Sequence, residues 1–107
     1  MTDLMYPKEA LVEFVDEVCG IYFRSMLLKN TGDLALQHVH DHDHVTYVGN
    51  GAVRFYVDGK FIADVPAGKA VEIKAGVPHQ FRALAPNTRI TCVHDVASAE
   101  SLKKQNL

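Results

Sequence analysis

Tryptophan is absent, and only two cysteines, Cys19 and Cys92, occur in the 107 residues. Two thiols so far apart build neither a disulfide framework nor a thiolate zinc site. Each is expected to be a buried apolar thiol, and a reducing cytoplasm is the default location. Long apolar runs are also missing, since none approaches the roughly 18 residues of a membrane-crossing helix. The opening stretch, Met1-Thr2-Asp3-Leu4-Met5-Tyr6-Pro7-Lys8, lacks the basic and apolar regions of a secretory signal. No membrane partner is expected. Charge of one sign is lacking too: eleven Lys and Arg against thirteen Asp and Glu leave a net charge of −2. That balance provides no electrostatic footing for nucleic acid or anionic lipid. Repeats, low-complexity tracts and linker-like stretches do not appear, so residues 1–107 read as one domain. Its 48% hydrophobic content suits a single core that needs no disulfide staple.

What the chain does have is histidine, heavily concentrated. His38-Val39-His40-Asp41-His42-Asp43-His44 places four of the six histidines at alternate positions, and His79 follows a Gly-Val-Pro turn. Imidazole is the commonest protein ligand for zinc, iron, nickel and copper, and such crowding points to a metal centre. Asp41 and Asp43 read as turn residues able to orient a ligand imidazole. His42, between them, reads as a solvated side chain or an outer partner of the ligands.

The surrounding elements are mostly strands. Residues 8–19 follow Pro7 and stop at Gly20, which is the punctuation of a short amphipathic helix with Leu11, Val15 and Val18 on one stripe. A strand arm competes there, because Val12 to Val18 also alternates. Beyond Gly20, short β-rich runs (Ile21–Leu28, Leu34–His40, Val45–Val48, Val53–Val57, Lys60–Ile62, Ala70–Ile73, His79–Leu84 and Arg89–Val96) are separated by Gly, Pro, Asn and Asp turns. Asp58-Gly59 is a strong hairpin signal. A barrel of about 21–96, preceded by the arm and followed by a tail over 97–107, is the expected layout. A final helical turn or two over 98–105 is the alternative to a frayed tail. Such spacing indicates an antiparallel sandwich or jelly roll.

His40 and His44 stand four apart, as in a helical zinc motif, but Asp-His-Asp is a poor helix interior and Val45-Thr46-Tyr47-Val48 prefers a strand. In a strand, His38 and His40 share the side that Leu34 and Leu36 mark as interior. His44 then opens the returning strand.

On these residues the chain resembles the cupin superfamily. Gly32, a five-residue gap, His38-Val39-His40, a three-residue gap, His44, a six-residue gap and Gly51 follow the spacing of the first cupin motif. His44 stands where that motif has Glu. Gly68, a five-residue gap, Lys74-Ala75-Gly76, Val77-Pro78, His79, a three-residue gap and Ala83 follow the second motif. There Lys74 replaces a Pro and Ala83 an Asn. The resemblance implies an all-β, cupin-type antiparallel jelly-roll barrel holding one divalent metal near an open end. It implies His38, His40, His44 and His79 as the metal ligands. Four neutral imidazoles would leave a divalent ion at +2, a stronger Lewis acid than one bearing a carboxylate. An all-nitrogen set suits Fe(II), Ni, Zn or Cu, and not Mg or Ca.

If His44 and His79 face inward, alternation brings Thr46, Val48, Phe81 and Ala83 to the same side. Thr46, Val48, Phe81 and His94 are the expected substrate-pocket residues, although His94 also fits as a core histidine satisfied by a hydrogen bond. Arg54, Arg82 and Arg89 read as surface residues. No paired acid–base system and no Ser/His/Asp order is present. The expected function is a metal-dependent, oxygenase-like enzyme acting on a small organic molecule. A metal-bearing binding or structural module without turnover is the alternative, and a cupin without metal is disfavoured by four inward histidines. A homodimer is expected, with the apolar segment Ile21–Leu28 taking part.

Overall fold

The computed structural model describes residues 7–36 and 42–96. Among them are nine strands: β1 (Leu11–Val18), β2 (Ile21–Leu28), β3 (Leu34–Leu36), β4 (His44–Asn50), β5 (Ala52–Val57), β6 (Lys60–Pro66), β7 (Ala70–Ile73), β8 (His79–Ala83) and β9 (Thr88–Asp95). They form a five-stranded sheet in the order β1-β2-β9-β4-β7 and a four-stranded sheet in the order β3-β8-β5-β6. Every strand pair is antiparallel. The inner faces meet around Leu28, Val48, Val53, Ile73, Phe81 and Ile90, with Phe55 stacked on Phe81 at 5.0 Å between ring centres. Burying each such side chain stabilises the fold by roughly 1.5–3 kcal/mol. The all-β jelly roll expected from the spacing of turns is the architecture found.

The helix expected over residues 8–19 does not form. Leu11–Val18 is instead an edge strand, paired with β2 from Leu11↔Leu27 to Val18↔Ile21. Its connection to β2 is the pair Cys19-Gly20, with φ of 52° and 75°. Two consecutive positive φ values are those of the tight hairpin turn whose twist matches the flanking strands. Gly20 therefore serves a hairpin and not a helix end, and the β-branched Val12, Val15 and Val18 follow the strand preference. Cys19, expected to be buried, is exposed in that turn, whereas Cys92 is buried as expected. Because β2 lies between β1 and β9, the backbone of Ile21–Leu28 is already paired on both sides.

The side assignment on β3 is also corrected. Ala35 is 1% exposed and Leu36 56%, so Ala35, not Leu34 and Leu36, marks the interior. Ala35 lies opposite the fully buried Phe81, and Leu36 lies opposite Gln80. The C-terminal residues, for which a helical turn was an alternative, lie outside the described residues.

One glycine is required by close approach. Gly51, between β4 and β5, has φ +75°, and a Cβ placed there would meet the Oγ1 of Thr88 and come within 3.0 Å of its Cα. Thr88 is fully buried and donates from Oγ1 to the carbonyl of Ala85 at 2.9 Å. The turn is thereby pinned to the start of β9.

Candidate metal centre

Two expected ligands come together from opposite sheets. On β4 the side chains of His44, Thr46 and Val48 point inward, and on β8 those of His79, Phe81 and Ala83 do. Both histidines are 5% exposed. Their ring centres are 5.1 Å apart, with the ring planes inclined by 53°. Metal–nitrogen bonds of about 2.0–2.1 Å put two imidazoles of one ion at ring separations of roughly 4.5–5.2 Å for angles from 90° to tetrahedral. The pair fits a shared ion in separation.

The His79 ring is oriented by its own turn. Its Nδ1 is 3.0 Å from the carbonyl oxygen of Val77. A carbonyl only accepts, so Nδ1 carries the proton and the lone pair resides on Nε2, as in ligating histidines held by an outer partner. Burial lowers the His79 pKa from its ordinary value, and the bond to Val77 opposes that shift. The ring is therefore held neutral, the form that binds metal.

A second tie joins the two halves of the site. The Asp43 carboxylate accepts from the backbone N–H of Ala75 at 2.7 Å and lies 3.7 Å from the Nζ of Lys74. Asp43 thus fastens the approach to β4 onto the turn that leads to His79. Lys74, which stands in place of the cupin proline, supplies a cation for this contact. Asp43, expected as a turn residue or an orienter of imidazole, has that turn and Lys74 as its observed partners.

The remaining described histidines join the same end of the molecule. His42 is half-buried, with its ring 6.0 Å from that of His44 and 4.6 Å from that of His94. His94 is half-buried on β9 and stacks on Tyr22 of β2 at 4.6 Å, with its Nδ1 2.9 Å from the carbonyl oxygen of Asp95. The stack follows from register, because Tyr22 is the cross-strand partner of His94. Tyr22 was not singled out from sequence, since nothing local reveals that β2 pairs with β9. His38 and His40 lie outside the described residues. Among the described residues no group of three or more His, Cys, Asp or Glu side chains is arranged to hold a metal.

The pocket residues are placed as follows. Thr46 is fully buried, with its Oγ1 3.5 Å from the Sγ of Cys92. Val48 and Phe81 belong to the packed core, and the Phe81 ring meets that of His79 edge-on at 6.1 Å. His94 is the one of the four with partial exposure. As donors, two buried imidazoles fit a transition ion of the zinc, iron, nickel or copper group and not an oxygen-seeking one.

The sequence pattern of the cupin domain matches residues 26–94, more than half of the chain. The chain belongs to the cupin family. This match begins within β2 and ends at His94, so the family core contains every described histidine. Among solved structures it is similar to KdgF from Halomonas sp., with 20% identity, 78% of this chain and 74% of that one covered, and a TM-score of 0.64. An RmlC-like cupin protein from Desulfovibrio desulfuricans is similar at 22% identity, with 79% and 81% covered and a TM-score of 0.67. Oxalate decarboxylase from Bacillus subtilis is 25% identical over 71% of this cupin and 21% of its own chain, with a TM-score of 0.61. No curated protein matches the chain. No helix among the described residues is long and apolar enough to cross a membrane.

Proposed function

We propose that this cupin is a small metal-dependent enzyme, oxygenase-like, acting on a small organic substrate. The observation that carries the reading is the approach of His44 and His79 to 5.1 Å across the two sheets, with His79 oriented by the Val77 carbonyl. In this reading His38 and His40 complete a four-imidazole set around one divalent Fe, Ni, Zn or Cu ion. Such an ion supplies Lewis acidity and, at coordination numbers above four, an open position for substrate oxygen.

The rest is the work of this chain's own residues. His79 is kept neutral by burial, and its tautomer is set by Val77. Thr46 offers a buried hydroxyl two positions from His44, and Val48 and Phe81 exclude water below the histidines. His94 contributes a polar group at the half-exposed edge.

Elemental analysis of the purified protein, with anomalous scattering from crystals, tests the metal centre directly. A transition ion bound between His44 and His79, with oxygen uptake on candidate substrates, is the expected result. A tightly held four-coordinate zinc without turnover would favour the binding or structural module, because no position would remain for substrate.

A further inference from the structure

The four described histidines form one run of ring contacts, His79–His44–His42–His94, with centre separations of 5.1, 6.0 and 4.6 Å. The run divides into two pairs. The inner pair, His44 and His79, is 5% exposed and deep between the sheets. The outer pair, His42 and His94, is half-buried. Both pair separations fall within the roughly 4.5–5.2 Å expected of two imidazoles on one ion. The 6.0 Å step between the pairs falls outside it.

His94 is held in the way that His79 is held. In each, Nδ1–H donates to a backbone carbonyl, at 3.0 Å for His79 and 2.9 Å for His94. In each the lone pair is thereby assigned to Nε2. The His94 ring is also clamped: Tyr22 stacks on it at 18° between planes, and His42 meets it at 60°. A half-exposed imidazole ordinarily keeps its rotational freedom, and fixing both its tautomer and its plane is what a ligand position requires. Glu17, the register partner of Tyr22, adds a carboxylate on the same row of the sheet, which favours a cation at this edge.

We propose that His42 and His94 form a second, outer binding position for a divalent transition ion of the nickel, copper or zinc class. Water or a small anionic ligand fills its remaining coordination positions. This position stands at the open edge beside the inner centre, and it rests on the reading above only in reserving His44 and His79 for the buried ion.

The test is titration of chelator-treated, full-length protein with Ni(II), followed by calorimetry and elemental analysis. Wild type is expected to take two ions per chain, one of them weaker. His94→Phe, which keeps the stack on Tyr22, and His42→Gln should each reduce the count to one. His79→Ala should remove the tighter ion and leave the weaker. Circular dichroism establishes that each variant is folded, and the two outer variants report independently on one position. A single ion that is lost with His94→Phe and kept with His79→Ala would support the outer position and refute the inner one. The proposal is overturned by a single ion that survives both outer variants. It is equally overturned by a single ion that each of the three variants abolishes, because all the imidazoles would then share one centre.

Discussion

The imidazoles of His44 and His79 belong to strands in different sheets, yet their centres lie 5.1 Å apart at the same end of the molecule. Each is the first residue of its strand, and each heads an inward row, His44-Thr46-Val48 and His79-Phe81-Ala83. Removing either ring should abolish tight metal retention. His44→Ala and His79→Ala are expected to lower affinity by far more than the roughly 10–100-fold typical of losing an outer partner. Metal content after dialysis against a weak chelator measures this. Unchanged content in both variants would refute the centre.

Acid should destabilise the metal-free protein through His79. Its pKa is lowered in the fold by burial, so the unfolded chain takes up the proton first. The contribution of neutral His79 is fully present above the unfolded value near 6.5. It is lost as pH falls through the lowered folded value. Urea midpoints of the metal-free protein between about pH 5 and pH 8 should therefore rise with pH, with a smaller rise in His79→Phe. An identical slope in the two proteins would sink the assignment.

Phe81 should be the costliest ring to truncate. It has no exposed surface, stacks on Phe55 and touches His79 edge-on. Phe81→Ala is expected to lose about 3–5 kcal/mol, the usual cost of a large core cavity. Phe14→Ser on β1, where the ring is 54% exposed, should stay within about 0.5 kcal/mol. Chemical denaturation of both variants gives the comparison, and equal losses would contradict the placement of β1 outside the core.

Gly51→Ala should destabilise by more than an ordinary glycine replacement. The new methyl meets Thr88 and its backbone, and the φ of +75° is strained for any side chain. A loss of about 2–4 kcal/mol is expected, combining backbone strain with displacement of a buried contact. Thermal melts of the variant beside Gly49→Ala, where the nearest atom is a Tyr47 ring carbon at 3.6 Å, separate crowding from the general effect of losing glycine. Equal melting points would show that the Thr88 contact can yield.

Much of the site was legible because strands alternate strictly. Once His44 and His79 were read inward, Thr46, Val48, Phe81 and Ala83 followed, and all four are buried. The arm over residues 8–19 was not decided by the same means. Pro7 and Gly20 punctuate a helix as well as they bracket a hairpin, and the choice came from pairing with β2, which is itself held by β9, a strand remote in sequence. Leu36 misled for a related reason. On a three-residue edge strand the larger side chain need not face in, and Ala35 fits against Phe81 where space is short.

Turn spacing and alternation by themselves indicated a mostly β chain, and its two gapped histidine motifs resemble those of the cupins, because turn chemistry and side-chain alternation are local properties. Which imidazoles meet was decided only in three dimensions. His42 and His94 are distant in sequence, and each has an unremarkable local setting. They approach because β9 lies between β2 and β4, which brings His94 beside the entry to β4 and against Tyr22. Strand order is a long-range property, set by which inner faces bury together, and no stretch of the chain encodes it alone.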